Sequence, residues 1–200
     1  ARCSSAFIVF TDDDTDIIRG GNQVPGRLKD MNSYRAELGG ILPAIILVNA
    51  ICEKHNITEC IVEFGCDNES ALYNGFSTDL ASSTMPSYDI LRQVRHYFKR
   101  SPATWKPRHV KGHQDKDNEY ANLDTWGKAN CRADSLAKHF MDIHPPRITK
   151  KFKNAFHWTL QLNDEPVHSD IHNSIYAHCT DTPLHENWAR KNYFEPADIH

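Results

Sequence analysis

A chain of 200 residues with 40% hydrophobic content suffices for one full domain plus an appendage, and a net charge of −3 neither demands nor excludes a polyanionic partner. The longest apolar stretch, Ile41 to Cys52, is interrupted by Pro43 and falls short of the ~20 residues that span a bilayer, so no membrane segment is expected. Six cysteines without a Cys-x-x-Cys pair and the lack of a signal-peptide pattern point to reduced thiols inside the cell, in cytoplasm or nucleus.

Ser5 to Thr11 is β-rich, Asp12 to Asp16 is a polar turn, and Ile17-Ile18 resumes extended character before Gly20-Gly21, which together predict a β-hairpin. Asn32 or Ser33 caps the next helix, whose buried face is spaced as Leu38, Ile41, Leu42, Ile45, Ile46 and Ile51, with Pro43 bending its early part. Cys60 to Cys66 is a compact strand that delivers Asp67 at its C-terminal end, and a short helix from Asn68 carries Leu72 and Phe76. A Ser/Thr-rich connection from Ser77 to Pro86 leads into a helix with Ile90, Leu91, Val94, Tyr97 and Phe98 along one stripe. Thr104 to Val110 is a strand, and Pro107 confines it to an edge or an end. After the polar loop Gln114 to Asn122, a helix presents Ala129, Ala133, Leu136, Ala137 and Phe140.

His144-Pro145-Pro146 ends this unit. Beyond it come Lys150, Lys151 and Lys153, a strand candidate over Phe156 to Leu162, a turn at Asp164-Glu165-Pro166, and two short helices, one with Ile171, Ile175 and Tyr176, the other with Trp188, Tyr193 and Phe194. So few apolar residues predict a tail that packs on a neighbour. His168 and His172, at helical i, i+4 spacing with His178, Cys179 and His185 following, form a weak zinc pattern that twelve histidines make easy to obtain by chance.

Four segments fall in one order: Ser33-Tyr34-Arg35-Ala36-Glu37-Leu38, Cys66-Asp67-Asn68-Glu69-Ser70-Ala71, Val110-Lys111-Gly112-His113-Gln114-Asp115 and Asn130-Cys131-Arg132-Ala133-Asp134-Ser135-Leu136-Ala137. Together they resemble the ribonuclease H type 1 family over about Ala1 to Phe140. The resemblance implies an α/β fold, a mixed five-stranded sheet flanked by helices, over residues 1–142, followed by an extension over 143–200. The family opens with a strand carrying its first metal-binding Asp, and no such segment precedes Ala1, so a domain without that strand is expected. Reading Asp12, Asp13 or Asp14 as the opening Asp leaves too few residues before Glu37 for the two strands that normally intervene. A start at Ala rather than Met reads as a cut from a longer polypeptide, and an upstream reverse-transcriptase region is the partner the resemblance implies.

The activity so implied is metal-dependent hydrolysis of the RNA strand of RNA/DNA hybrids, with two Mg²⁺ ions, or Mn²⁺ as a substitute, held by Glu37, Asp67 and Asp134. Two-ion phosphodiester hydrolysis needs carboxylates from separate elements to converge, and hard oxygen ligands suit Mg²⁺. Each has a plainer reading: Glu37 as a first-turn helix acid, Asp67 as a helix N-cap, Asp134 as a solvent-facing helix residue. His113, in a Gly-His loop, is implied to move protons, as an imidazole titrating near neutrality suits that task. Arg92, Arg95, Lys99 and Lys111, in a run from Leu91 to Gln114 that has no acidic residue, together with Asn68, are the expected nucleic-acid contacts. Two other readings compete: a catalytically inactive nucleic-acid-binding or scaffolding remnant, and a transposase or integrase core, against which the early Glu and the Gly-His loop argue.

Overall fold

The computed structural model of the protein describes residues 3–26, 30–116, 118–143, 160–162, 165–167 and 170–180. The expected hairpin is present: β1 (Ser4–Phe10) pairs antiparallel with β2 (Asp16–Gln23), Ser4 opposite Gln23 and Phe10 opposite Asp16. Its turn contains Asp14 at φ 67°, a left-handed conformation that Asp tolerates better than most residues because its short polar side chain bonds locally. The Gly20-Gly21 pair has a packing reason, since the Phe7 ring occupies the space a Cβ at Gly20 would need.

Helix α1 (Ser33–Lys54) starts where the Asn32 side chain accepts a hydrogen bond from the Arg35 N–H at 2.9 Å. It runs on through Pro43, whose missing N–H forfeits one helical bond while Leu38, Ile41, Leu42 and Ile45 keep a continuous buried face. By length and composition this helix is apolar enough to cross a membrane, with a mean hydropathy of 1.6, although Ile41 to Cys52 alone reads as too short. In the fold its apolar face packs against β1, α2 and α3. Asn32→Ala is expected to cost about 1 kcal/mol, the usual value of an N-cap, read as a lower midpoint in chemical denaturation with an unchanged slope.

Strand β3 (Cys60–Cys66) pairs in parallel with β4 (Ala103–His109), and a parallel pair needs a long crossover. Here α2 (Glu69–Gly75) and α3 (Tyr88–Lys99) supply it. Among the described residues β4 pairs with β3 alone, so Pro107 sits on an edge as expected. Leu38, Ile45, Ile90, Leu91 and Val94 are fully enclosed where α1 meets α3, each contributing about 1.5–3 kcal/mol by burial. Arg35 is also fully enclosed, its guanidinium forked onto both Asp89 carboxylate oxygens at 2.8 and 2.7 Å and bonded to the Pro25 carbonyl.

After two 3₁₀ turns (Gln114–Lys116 and Tyr120–Asn122), α4 (Thr125–Ile143) packs across β1, β2 and β3. The architecture is mixed α/β, but the described strands form separate two-stranded ladders instead of the one continuous sheet the resemblance implies. No backbone hydrogen bond joins β1 to β3; α1 and α4 hold the two ladders in one body. In the tail, β5 (Gln161–Leu162) and β6 (Glu165–Pro166) make a minimal hairpin, residues 171–180 are helical, and the Ile171 N–H bonds the Ser83 carbonyl at 3.3 Å. Val167 is buried, so this part of the tail packs on the chain itself. The lysines 150, 151 and 153, most of the Phe156 to Leu162 strand, the helix with Trp188, and His168 and His185 of the zinc pattern lie outside the described residues.

Candidate active site

Glu37 lies one turn into α1, positioned by the Asn32 cap and by the anchored Arg35 two residues earlier. Asp67 follows the last residue of β3. The cap of α2 is Asn68, whose side chain accepts from the Ala71 N–H at 2.9 Å, so the capping role read for Asp67 falls to its neighbour. Ligand atoms of Glu37, Cys66 and Asp67 all lie within 4.8 Å of one another, a group that could hold a metal ion. Asp134 of α4 lines the same cavity of about 250 Å³ as Glu37 and Cys66.

The Gly-His loop closes over this group. The Val110 N–H bonds the Cys66 carbonyl at 3.0 Å, extending the β3–β4 pairing by one step before the chain turns. Gly112 then rests against Asp67, where an added Cβ would stand 2.6 Å from the carboxylate and would displace it. His113, at φ 52°, places Nδ1 3.7 Å from Asp134 Oδ2 and remains well exposed. The chain between His113 and Asp134 folds back so that the imidazole stands beside the Asp134 carboxylate.

Electrostatics mark these acids as a coupled set. Burial first, then the facing Asp67 carboxylate and more weakly Asp134, raise the Glu37 carboxyl to about 7 against a hydrogen bond from the Cys66 thiol. Asp134 is raised by burial and by Asp67, with His113 and Lys138 opposing. Burial and Glu37 push the Cys66 thiol far up, so at neutral pH it stays protonated and donates to Glu37 Oε2 at 3.4 Å. The ionisable donors left for a metal are oxygens, which select hard cations. Cys66 and Gly112 were not anticipated as site residues; the signal for Cys66 was its place at the end of β3, facing the helix that carries Glu37.

The other expected residues divide. Lys99 and Lys111 are exposed, and Arg92 stacks its guanidinium 5.6 Å from the Tyr88 ring centroid. Arg95 does not belong with them: it is buried, and its guanidinium donates to the carbonyls of Asn74 and Asp79 at 2.7 and 3.1 Å, tying α3 to the end of α2 and to the connection that follows it. Asn68 spends its side chain on the α2 cap. Asp12 to Asp14 lie in the β1–β2 turn, with Asp13 bonded to Thr11 and Asp14 paired to Arg132 at 2.7 Å, and they do not join the Glu37 group. Comparison of the chain with protein-family models, curated proteins and solved structures finds no match.

Proposed function

We propose that the chain has a ribonuclease H-like fold and acts as a metal-dependent endonuclease on the RNA strand of RNA/DNA hybrids, with Glu37, Asp67 and Asp134 holding two Mg²⁺ ions, for which Mn²⁺ substitutes. The observation that carries this reading is the convergence of three carboxylates from α1, the end of β3 and α4: Asp67 stands within 4.8 Å of Glu37, and Glu37 and Asp134 line one cavity. Separate elements supply these acids, and burial and mutual repulsion strain them in a way that cations relieve. Bound there, the ions supply charge neutralisation and an activated water at the scissile phosphate.

The chain's own residues do the remainder. His113, exposed beside Asp134, takes up or returns a proton at the mouth of the cavity. Lys99 and Lys111 hold phosphates, so binding weakens steeply with salt, and preference for hybrid over DNA duplex comes from 2′-hydroxyl contacts. The unbridged gap between β1 and β3 favours a second reading, an inactive nucleic-acid-binding or scaffolding remnant. Cleavage of a labelled RNA/DNA hybrid separates the two. Mg²⁺-dependent cutting of the RNA strand, lost by about 100-fold or more in Glu37→Gln and Asp67→Asn, is the expected result. Hybrid binding without any cutting by the unaltered chain supports the remnant, and neither binding nor cutting removes both.

A further inference from the structure

Two cysteines meet where α1 hands the chain on to β3. Cys52 lies in the last turn of α1 and Cys60 opens β3, eight positions later, and their sulfurs stand 3.7 Å apart. Backbone bonds fix the connection between them. The Ile57 N–H reaches the Cys52 carbonyl at 2.8 Å and the His55 N–H the Ile51 carbonyl at 3.0 Å, while Asn56 adopts a left-handed φ of 52° that turns the chain off the helix. Strand side chains alternate, so Cys60 shares a face of β3 with Val62 and Phe64, which pack on the core that contains Leu38, Leu42 and Ile45 of α1. Since β3 is itself held along its length by β4, the meeting of the two sulfurs is set by the fold on both sides.

The two thiols are both free and differ in access: Cys52 is 3% exposed, whereas Cys60 is half-buried and open to a small reagent. Burial, and then the adjacent Cys60 sulfur, raise the Cys52 thiol above the usual range, so it keeps its proton at neutral pH. A disulfide needs about 2 Å between sulfurs, so the pair is one short side-chain movement from bonding. Neither cysteine belongs to the carboxylate group. Glu37 and Asp67 sit at the opposite ends of the same two elements, near the start of α1 and just after β3.

We propose that Cys52 and Cys60 form a reversible redox site, closed by hydrogen peroxide and opened by a dithiol, that clamps the end of α1 to the start of β3. In the first step the Cys60 thiolate attacks a peroxide oxygen; the O–O bond breaks, hydroxide leaves and takes up the proton Cys60 released, and Cys60 becomes a sulfenic acid. The Cys52 sulfur then attacks the Cys60 sulfur. The S–S bond forms, the S–O bond breaks, and the hydroxyl leaves with the Cys52 proton as a second water. The two thiols together give two electrons to the peroxide, and a dithiol returns them by exchange through a mixed disulfide. Closing the loop restricts the unfolded chain, so the oxidised form is the more stable one. This site requires no metal and no cleavage and does not depend on the nuclease reading.

The test uses the full chain carrying Cys179→Ser, which removes an exposed competing thiol. The reduced protein is treated with hydrogen peroxide, its remaining thiols are blocked, and it is digested without reductant by a protease that cuts after glutamate. Cuts at Glu53, Glu59 and Glu63 leave Cys52 and Cys60 on separate peptides and part both from Cys66. A linked Cys52–Cys60 peptide that dithiothreitol separates is expected, together with a thermal midpoint about 5 °C above that of the reduced protein. Cys60→Ser, at the more accessible partner, should abolish both changes. In Cys52→Ala the sulfenic acid has no thiol to attack it, and a dimedone adduct should collect on Cys60. Oxidation that links Cys60 to Cys3 or Cys66, or one chain to another, overturns the proposal. So does loss of thiols without any linked peptide, and a linked peptide with an unchanged or lowered midpoint overturns the clamp.

Discussion

Arg35→Ala is expected to destabilise the protein by about 3–5 kcal/mol and lower its thermal midpoint by about 10 °C, the largest single-residue effect on stability in the fold. The guanidinium has no solvent exposure, and its partner Asp89 is only 16% exposed, so removing one charge strands the other in a poorly solvated place. The Pro25 carbonyl loses its donors at the same time. Lysine does not repair this, since one ammonium cannot reproduce a fork onto two carboxylate oxygens. The paired change Arg35→Met with Asp89→Leu should recover much of the loss, because replacing both charges removes the stranded carboxylate. Thermal melts of the single and double variants decide this: a double variant as unstable as Arg35→Ala would locate the effect in the Pro25 contact instead of the ion pair. Arg35 lies two residues before Glu37, so its loss should also loosen the carboxylate group.

The second large effect is a gain. An unfolded glutamate titrates near 4.3, whereas Glu37 in the fold titrates at about 7. The folded state therefore binds the proton more tightly than the unfolded state, and stability falls as pH rises between these values. The cost of the Glu37 charge is absent below about pH 4, builds through pH 5 and 6, and reaches about 3 kcal/mol above pH 7. Glu37→Gln is thus expected to stabilise the metal-free protein at pH 8 and to leave it unchanged at pH 4. Mn²⁺ should reverse the order at pH 8 by binding the unaltered chain and raising its midpoint. Denaturation with chelator and with Mn²⁺ at both pH values checks this, and a variant no more stable than its parent at pH 8 would show that the carboxylate is well solvated.

Much of this was legible because local chemistry and long-range packing agree. Asn32 followed by Leu38, Ile41 and Ile45 announces a capped amphipathic helix, and Cys60 to Cys66 followed by a polar Asp announces a strand that ends at a site. Pro107 marked an edge correctly because a missing N–H acts the same way in any context. Arg95 was misread for the opposite reason: within a basic run it resembles a solvated charge, and the carbonyls that bury it belong to residues 74 and 79, whose placement no local pattern reveals. Arg35 was hidden likewise, since its partner lies 54 positions away. The separation of the two ladders was invisible to a count of strands, as it depends on what lies between β1 and β3 and not on whether either forms.

The outer edge of β4 has a consequence for how the molecule behaves in a crowded solution. Lys106, Pro107 and Arg108 are all exposed there, and a residue that cannot donate a hydrogen bond between two cations blocks templated growth on that side. Strand pairing between chains is disfavoured at this border, so β4 is a poor template for fibril growth despite being an edge among the described strands.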